Sequence, residues 1–245
     1  MNGPLAIAAD VARPTCTPLV TPSLPIPRYL TQAYWWAYVH PKAVQLFERE
    51  WLVNTILFGN YSRLRDAALA ELGSVVHGRT LQVACVYGNL TRKLQQRLAG
   101  DASLDVVDVL PIQLKNLHRK LPDDARVALL HGDSSMLPCA DASYDQLLLF
   151  FLLHEQPDAV RSATLAEALR VVKPGGTVVI VDYHRPSSWH PIRPLMRLVF
   201  RKLEPYAMAL WQHELRHFMP AEAQPASLCK RTWFGGLYQM LVLRK

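Results

Sequence analysis

The sequence predicts an α/β protein with a mostly parallel β-sheet covered by helices on both faces. From Thr80 onward, short apolar runs typical of strands alternate with segments whose apolar residues recur at helical spacing. The run 144–151 is almost continuously apolar, as expected for a strand buried on both faces of a parallel sheet. Such alternation favours parallel pairing, because each helix carries the chain back to the start of the next strand.

Each element can be assigned in order along the chain. Strands are predicted at 81–85, 104–109, 126–131, 144–151 and 177–183, followed by two strand-like runs at 227–232 and 237–243. Helices are predicted from the spacing of Leu90, Leu94 and Leu98, and over 111–120 and 161–172. The turn Lys173-Pro174-Gly175-Gly176 is expected to end the last of these helices. Ligands of such sheets bind at the carboxyl ends of the strands.

The chain divides into three parts by composition. Residues 1–27 contain six prolines and predict a flexible tail. Residues 28–72 predict a helical segment rich in aromatic residues, among them the run Tyr34-Trp35-Trp36-Ala37-Tyr38. This segment could form a cap over an apolar substrate or simply belong to the core. Residues 73–245 are expected to form the main domain.

Composition excludes several classes of protein. No apolar run is long enough to span a membrane, and the N-terminus lacks the basic region of a secretory signal. The cysteines are scattered, which favours a reduced, cytoplasmic protein over a disulfide framework or a zinc site. The net charge of +7 favours an anionic partner, yet no nucleic-acid-binding motif is present. Nothing in the sequence indicates an oligomeric state.

Part of the positive charge is concentrated between residues 193 and 202. Arg193, Arg197 and Arg201 are four residues apart, so on a helix they form one basic stripe beside apolar residues. A helix resting on an anionic membrane surface has this pattern. The solvated face of an ordinary helix has it too, and both interpretations remain open.

Polar residues at strand ends suggest a nucleoside-binding site. The turn after the first strand, containing Val86, Tyr87 and Gly88, would bring backbone amides to a ligand. Asp108 ends the second strand, followed by Val109, where a carboxylate would accept hydrogen bonds from ribose hydroxyls. A third group of candidate residues follows the third strand, at Gly132-Asp133-Ser134-Ser135-Met136-Leu137-Pro138.

The last of these motifs carries a family resemblance. Together with Leu-Arg-Val-Val-Lys-Pro-Gly-Gly at 169–176, it resembles the ubiquinone/menaquinone branch of the class I S-adenosylmethionine (SAM) dependent methyltransferases. The resemblance implies a Rossmann-like methyltransferase fold with SAM as co-substrate. It also implies that Asp133 binds the adenine amino group and that Ser134 lines the base pocket.

The turn after the first strand departs from the pattern of that branch. Cys85 and Tyr87 stand where glycines are usual, and only Gly88 remains. This turn and the aromatic run near Trp35 resemble the rhodoquinone biosynthesis protein family. That resemblance implies conversion of ubiquinone to rhodoquinone, in which an amino group from SAM replaces a ring methoxy group. It further implies a divalent metal, Mn²⁺ being favoured. Because the isoprenoid tail of such a quinone cannot leave the bilayer cheaply, we expect peripheral association with the inner membrane.

Two strand-end histidines are the candidate bases for this chemistry. His154 with Glu155 follows the fourth strand, and Asp182 with His184 follows the fifth. Imidazoles titrate near neutral pH, and with carboxylates these residues are also candidate metal ligands. Tyr87 is a further catalytic candidate, because its side chain would redirect SAM. The run 213–217 matches H-E-x-x-H, but its surroundings do not suit a zinc protease.

Two other functions remain open at this point. The protein could be a conventional SAM-dependent quinone methyltransferase, or a non-catalytic methyltransferase-like subunit of a quinone biosynthesis complex.

Overall fold

The computed structural model describes residues 24–34, 44, 46–222 and 225–245, and its centre is one seven-stranded sheet. The strands are β1 (Arg79–Val83), β2 (Ser103–Asp108), β3 (Val127–His131), β4 (Tyr144–Phe150), β5 (Val172–Tyr183), β6 (Ser227–Trp233) and β7 (Tyr238–Arg244). Their order across the sheet is β3-β2-β1-β4-β5-β7-β6. Strands β1 to β5 pair in parallel, whereas β7 runs antiparallel to β5 and β6. The predicted parallel α/β architecture is therefore confirmed.

Helices connect and flank these strands. They are α1 (Arg28–Ala33), α2 (Glu50–Ile56), α3 (Tyr61–Leu72), α4 (Leu90–Gln95), α5 (Pro111–Lys120), α6 (Asp158–Val171), α7 (Arg193–Lys202) and α8 (Ala209–Gln212). Short 3₁₀ turns occur at Leu153–Glu155 and Leu215–Phe218. Pro111 begins α5 at the position where a missing backbone N–H costs nothing. The predicted bounds of α5 agree with the structure, and α6 begins three residues before its predicted start at Arg161.

The sheet has a switch point between β1 and β4. The chain builds outward from β1 to β2 and β3, then crosses back to place β4 on the other side of β1. The connections that leave the carboxyl ends of β1 and β4 therefore diverge and open a crevice between them. Both ends carry a non-glycine residue with positive φ, Ala84 at 71° and Phe151 at 53°. Backbone strain of this kind, of order 1–3 kcal/mol per residue, is concentrated at functional sites.

The main error in the sequence-based assignment concerns β5. Lys173-Pro174-Gly175-Gly176 was expected to be a turn before the strand, but β5 already begins at Val172. The pairing of β4 with β5 shifts register between Tyr144 and Gln146, which accommodates this segment. A Cβ at Gly176 would lie 2.8 Å from the carbonyl oxygen of Asp145, so the close approach of the two strands requires glycine here.

Residues 28–72 are helical in the parts that the structure describes. In α3, the face carrying Tyr61, Leu64, Ala68 and Leu72 is buried in the main core. In α1, Leu30 packs with Tyr34 and Leu110 in a separate small cluster. Trp35, Trp36 and Tyr38, on which the aromatic cap was partly based, lie outside the described residues, as do residues 1–23 of the predicted tail.

Two further expectations can be compared with the structure. Cys85 and Cys229 are free thiols, and Cys16 lies outside the described residues. Within the described ranges, no helix is both long enough and apolar enough to cross a membrane.

Candidate functional site

A cavity of about 530 Å³ opens at the carboxyl ends of β1, β2 and β4, beside the switch point. Cavities of roughly 300–1,000 Å³ at this place in α/β folds bind cofactors and small ligands. One side is formed by the loop 84–87, Asp108, Val109, Gly132 and Ser134. The other side is apolar and aromatic with an acidic corner, formed by Phe58, Phe151, His154, Glu155, Tyr183, Met196 and Glu204.

Asp108 anchors the loop after β1. Its Oδ2 accepts a hydrogen bond from the Cys85 amide at 2.7 Å, and its Oδ1 accepts one from the Leu110 amide at 2.8 Å. Burial raises the pKa of Asp108, although both backbone hydrogen bonds oppose the shift. The carboxylate borders the cavity at the end of β2, the position that the sequence predicted for ribose recognition.

Tyr61 holds the far end of the same loop. Its hydroxyl accepts hydrogen bonds from the amides of Asn89 (3.0 Å) and Leu90 (3.2 Å), and donates one to the carbonyl of Tyr87 at 3.2 Å. The phenol thus occupies the N-terminus of α4, directly after the turn whose backbone amides were expected to face a ligand. Gly88 has φ of 83°, and a Cβ there would lie 2.5 Å from the Tyr61 hydroxyl. Glycine is required at 88 for packing against Tyr61, and Gly88 does not border the cavity.

Glu48 and Lys120 also hold the loop after β1 in place. The Gly88 amide donates to Glu48 Oε1 at 3.1 Å, and Asn116 Nδ2 donates to Glu48 Oε2 at 2.6 Å. Lys120 Nζ forms an ion pair with Glu48 and donates to the carbonyls of Val86 (3.2 Å) and Gly88 (2.9 Å). The loop is therefore fixed by the protein itself, through side chains that come before and after it in the chain.

Val86 and Tyr87, both proposed from the sequence as ligand-binding residues, border the cavity. The Tyr87 ring stacks on Phe47 with centroids 6.0 Å apart, and its hydroxyl accepts a hydrogen bond from Gln113 Nε2 at 2.8 Å. Burial raises the pKa of Tyr87, so the phenol is neutral at physiological pH. These side chains narrow the cavity beside the loop.

The two candidates after β3 differ in their placement. Ser134 borders the cavity, and its hydroxyl is hydrogen-bonded to Thr164 (3.0 Å) and Gln156 (2.9 Å). Asp133 does not border it; its Oδ1 accepts hydrogen bonds from the amide and the hydroxyl of Ser135. In the structure, Asp133 therefore shapes the turn that presents Ser134.

His154 lies in the acidic corner of the cavity. Its Nδ1 is 2.9 Å from Oδ1 of Asp182, a fully buried carboxylate that also accepts the amides of Leu153 and Tyr183. Its Nε2 faces Glu155 Oε1 at 3.7 Å and Glu204 Oε2 at 4.0 Å. Burial lowers the pKa of His154, but the charge and hydrogen bond of Asp182 and the two glutamates outweigh this and raise the pKa to about 9.

Arg161 fixes the segment that carries His154. This fully buried guanidinium donates to the carbonyls of Leu153, Gln156 and Tyr206, each at 2.8 Å, and pairs with Asp158 at 2.7 Å. It connects the 3₁₀ turn after β4 with the region after α7. This role was not predictable from the sequence, because the bond that joins the two regions is to Tyr206, 45 residues further along the chain.

Glu204 is an acidic residue of the cavity that was not predicted from the sequence. It follows α7 by two residues, outside any strand end, so the rule that points to strand termini does not reach it. A single sequence offers no other signal for it, because its partner His154 is 50 residues away.

His184 and the metal candidates do not come together. His184 bonds the carbonyl of Gly236 through Nδ1 at 2.8 Å, and its Nε2 is next to Lys230 and Glu214, away from the cavity. The oxygens of Asp182 are occupied by backbone amides and His154. Across the described part of the chain, no three His, Cys, Asp or Glu side chains are arranged to hold a metal ion. The residues expected to bind manganese therefore do not fit that ion.

The H-E-x-x-H motif is not a zinc site on one helix. His213 follows α8, and His217 lies in the next 3₁₀ turn, with the two rings stacked 4.2 Å apart. Glu214 between them pairs with Lys230, which lowers the pKa of Glu214. The motif serves the surface packing of this region.

Comparison with known proteins agrees with this geometry. Residues 80–176 match the family model described as a methyltransferase domain. Demethylmenaquinone methyltransferase of Staphylococcus saprophyticus is 30% identical over 137 residues, which cover 56% of this chain and 58% of the relative. The enzyme of the same name from Bacillus licheniformis is 26% identical over 182 residues, 74% of this chain and 77% of the relative. The chain thus spans little more than half the length of the first relative.

Solved structures share the architecture at low sequence identity. Human N-acetylserotonin methyltransferase, in complex with SAM, superposes with a TM-score of 0.60 at 14% identity, covering 89% of this chain and 62% of that one. The N-methyltransferase NodS of Bradyrhizobium japonicum, in complex with S-adenosyl-l-homocysteine, gives 0.51 at 15% identity, with coverages of 75% and 84%. With the sheet order and the matched domain, these similarities show that the chain has the class I SAM-dependent methyltransferase fold.

Proposed function

We propose that the protein is a SAM-dependent enzyme that transfers a methyl group to a ring of the quinone class. The observation that carries this proposal is one cavity in which the loop 84–87 and Asp108 face an aromatic and acidic wall. Both a nucleoside and a flat ring can thus bind in one space. The relatives named demethylmenaquinone methyltransferases support the ring class.

The residues around the loop fit SAM. Asp108 and Val109 would bind the ribose, Ser134 would line the adenine pocket, and Val86 with Tyr87 would contact the methionine part. When bound, SAM supplies an electrophilic methyl group. The protein contributes a buried, mostly apolar wall that excludes water from the reacting groups.

The opposite side fits a flat, lipid-linked ring. Phe151 and Tyr183 meet edge to face with centroids 5.5 Å apart, and Phe58 lies on the same wall. Near the rim, Ile56 and Leu203 are 43% and 46% exposed, although both are large and apolar. An isoprenoid tail could leave the cavity between these two residues, at the ends of α2 and α7.

Amino transfer to ubiquinone, giving rhodoquinone, is the second candidate function, and one observation favours it. The amides of Cys85, Gly88, Asn89 and Leu90 are bonded to Asp108, Glu48 and Tyr61, while Tyr87 projects into the cavity. These backbone amides are thus hydrogen-bonded within the protein and are not available to a ligand. The methionine part of SAM would then adopt another pose, with its α-amine toward the ring. We assign no step to a metal ion.

Association with an anionic membrane surface is part of the proposal. One face of α7, with Met196 and Val199, borders the cavity. Its opposite face exposes Leu195 and Leu198, each 50%, next to a shallow groove lined by Arg197 and Arg201. A lipid surface against this face would put the tail of the quinone next to the cavity rim. Arg193, the third member of the predicted stripe, is half-buried.

One doubly labelled experiment distinguishes the candidates. The purified protein is incubated with SAM carrying CD₃ at sulfur and ¹⁵N at the α-amine, together with ubiquinone or a demethylated hydroquinone in anionic liposomes. Mass spectrometry of the quinone then reports a CD₃ group for methyl transfer or ¹⁵N for amino transfer. We expect labelled methyl in the hydroquinone. Neither label, combined with no SAM binding by calorimetry, would favour a non-catalytic subunit.

Two variants test the assignment of the loop side. Asp108→Asn should weaken SAM binding at least tenfold, because the neutral amide accepts ribose hydrogen bonds poorly. Tyr87→Gly should abolish ¹⁵N transfer if the loop redirects SAM, and leave CD₃ transfer intact. An unchanged product pattern in Tyr87→Gly would mean that the loop does not select the transferred group.

Liposome sedimentation tests the membrane surface. Changing Arg197 and Arg201 together to glutamine should reduce binding to phosphatidylserine vesicles. The control changes exposed Arg63 and Arg92 to glutamine, which removes the same charge from another surface. Equal binding by the two double variants would contradict the assignment of α7.

A further inference from the structure

We propose that Glu204 is the proton acceptor of the cavity, and that its carboxylate takes the proton from a hydroxyl group on the substrate ring. The inference builds on the proposed function, because it identifies the group that activates the ring for transfer. It also names a substrate feature, a ring hydroxyl, that the fold alone does not specify.

The first support is the environment of the carboxylate. Glu204 borders the cavity, with 20% of its side-chain surface exposed. Its Oε2 is inaccessible to solvent and has no hydrogen-bond partner among the described residues. This oxygen faces Nε2 of His154 at 4.0 Å, and no described residue donates a hydrogen bond to the carboxylate. The exposed part of the side chain borders the cavity, so a ligand that binds there can contact Glu204. Because largely buried carboxylates are normally hydrogen-bonded, a ring hydroxyl on the ligand would supply the missing donor.

The second support is the state of the neighbouring His154. Its Nδ1 is committed to Asp182 at 2.9 Å, and three carboxylates surround the ring. With a pKa raised to about 9, the imidazole is protonated at neutral pH and both nitrogens donate. An imidazolium cannot accept a proton, so the base expected at His154 from the sequence is better supplied by Glu204, 4.0 Å away.

The third support is the pKa of the Glu204 carboxyl group. Burial raises the pKa of its carboxyl, whereas the charge of His154 lowers it. A carboxylate with a raised pKa is a stronger base than an exposed one, as a general base near neutral pH requires. The titratable groups around this corner are His154, Glu155, Asp182, Tyr34, Tyr183 and Tyr238.

The proton transfer balances simply. The ring O–H bond breaks, its proton goes to Glu204 and then to water, and its electron pair stays on the ring as a phenolate. The phenolate is nucleophilic at oxygen and at the adjacent carbons. It forms the new bond to the methyl group while the S–CH₃ bond of SAM breaks and sulfur takes that electron pair. Attack through oxygen completes the reaction, whereas attack through carbon leaves a ring C–H whose proton is lost to water as the ring regains its aromaticity. His154 acts as a hydrogen-bond donor that stabilises the phenolate.

The test compares two substrates in Glu204→Gln, which keeps the size of the side chain. With a hydroquinone whose hydroxyl is neutral at pH 7.5, methyl transfer should fall by about 10²- to 10⁴-fold. With a nitro-substituted ring that is already ionised at this pH, the variant should keep a rate within about threefold of the unaltered protein. SAM affinity should be unchanged, and Glu222→Gln, at an exposed glutamate, should behave as the unaltered protein. An equal loss with both substrates, or no loss, would overturn the proposal.

A binding measurement separates this inference from the proposed function. A 4-nitrophenol titrated into the protein reports its ionisation by absorbance near 400 nm, whether or not methyl transfer occurs. If Glu204 faces the hydroxyl, the bound dye should have a higher pKa in the unaltered protein than in Glu204→Gln. Identical dye pKa values, or no binding, would overturn the role of Glu204. A changed dye pKa without methyl transfer would retain that role and reject the proposed reaction.

Discussion

Replacing Tyr61 by phenylalanine should destabilise the protein and loosen the loop after β1. The side chain is fully buried, and its hydroxyl makes three hydrogen bonds, to Tyr87, Asn89 and Leu90. Phenylalanine keeps the ring, and with it the edge-to-face contact with Phe150 at 6.2 Å. The change therefore isolates the contribution of one hydroxyl that caps α4 and fixes the loop.

The expected loss can be worked out from these contacts. The Leu90 amide is buried and would lose its partner, at a cost of about 1–3 kcal/mol. The Asn89 amide is only partly buried and can recruit water, so its lost bond costs about 0.5–1.5 kcal/mol. We expect the free energy of unfolding to fall by about 3 kcal/mol in total. For a chain of this size this corresponds to about 6–12 °C in Tm.

Tyr238→Phe is the matched control. Tyr238 is equally buried, but its hydroxyl has no hydrogen-bond partner within the described residues. Removing it should leave stability unchanged or slightly raised. Urea unfolding at pH 7.5 measures both variants, and hydrogen exchange of the Asn89 and Leu90 amides reports the loop directly. If Tyr61→Phe lowers the free energy of unfolding no more than Tyr238→Phe does, the Tyr61 hydroxyl does not hold the loop.

Three further predictions follow from the same contacts. Arg161→Lys should lower the free energy of unfolding by about 3–5 kcal/mol, because a single ammonium cannot reach all three carbonyls. Urea unfolding measures this loss, and a loss below about 1 kcal/mol would contradict the prediction. Gly88→Ala should lower the free energy of unfolding by about 2–4 kcal/mol in the same assay, because φ is 83° and the new methyl group would clash with the Tyr61 hydroxyl. An unchanged free energy of unfolding would mean that the loop readily moves. His154 has a folded-state pKa raised from 6.5 to about 9, so its protonation stabilises the fold below pH 6.5, and this stabilisation is lost as the pH rises through about 9. The stability difference between the unaltered protein and His154→Gln should therefore shrink from pH 6.5 to 9.5, and a constant difference would refute a protonated His154.

The sheet was predictable because its signals are local. Strands β1 to β4 are apolar runs bounded by polar residues, and each was located to within about two residues. The early start of β5 was not predictable, because Pro174 and Gly175 normally interrupt strands. Their extension into the sheet depends on a register shift opposite Tyr144, which is a tertiary feature.

The site was predictable only where the topology determines it. Asp108 and His154 follow parallel strands, so the switch point brings both to one cavity whatever the side-chain packing. Gly88 and Asp133 also follow strands, yet they face Tyr61 and Ser135 rather than the cavity. The direction in which a side chain points at the end of a strand depends on the conformation of the following turn, which a single sequence does not specify.

The residues that hold the loop were hidden for a different reason. Glu48 and Tyr61 come from the helical segment before the sheet, and their bonds to Gly88 and Asn89 join segments 40 and 28 residues apart. Strand and helix periodicity carries no information about such pairs. The consequence of these contacts is nevertheless visible in the sequence, because a loop whose amides are hydrogen-bonded within the protein can lose its glycines. The presence of Cys85 and Tyr87 at positions where glycines are usual is thus linked to these contacts.

This link bears on the choice between methyl and amino transfer. A glycine-rich loop binds the methionine part of a ligand through free backbone amides. Here the Gly88 amide is bonded to the carboxylate of Glu48, which Lys120 holds in place. Neither Gly88 nor Glu48 borders the cavity, so Glu48 acts on the ligand only through the loop that it holds. If the bonded loop determines the pose of SAM, Glu48→Gln should loosen the loop and change the affinity for SAM, which calorimetry measures. Equal SAM affinity in Glu48→Gln and the unaltered protein would mean that this hydrogen bond does not determine the pose, and the choice between methyl and amino transfer would then depend on Val86 and Tyr87, which do border the cavity.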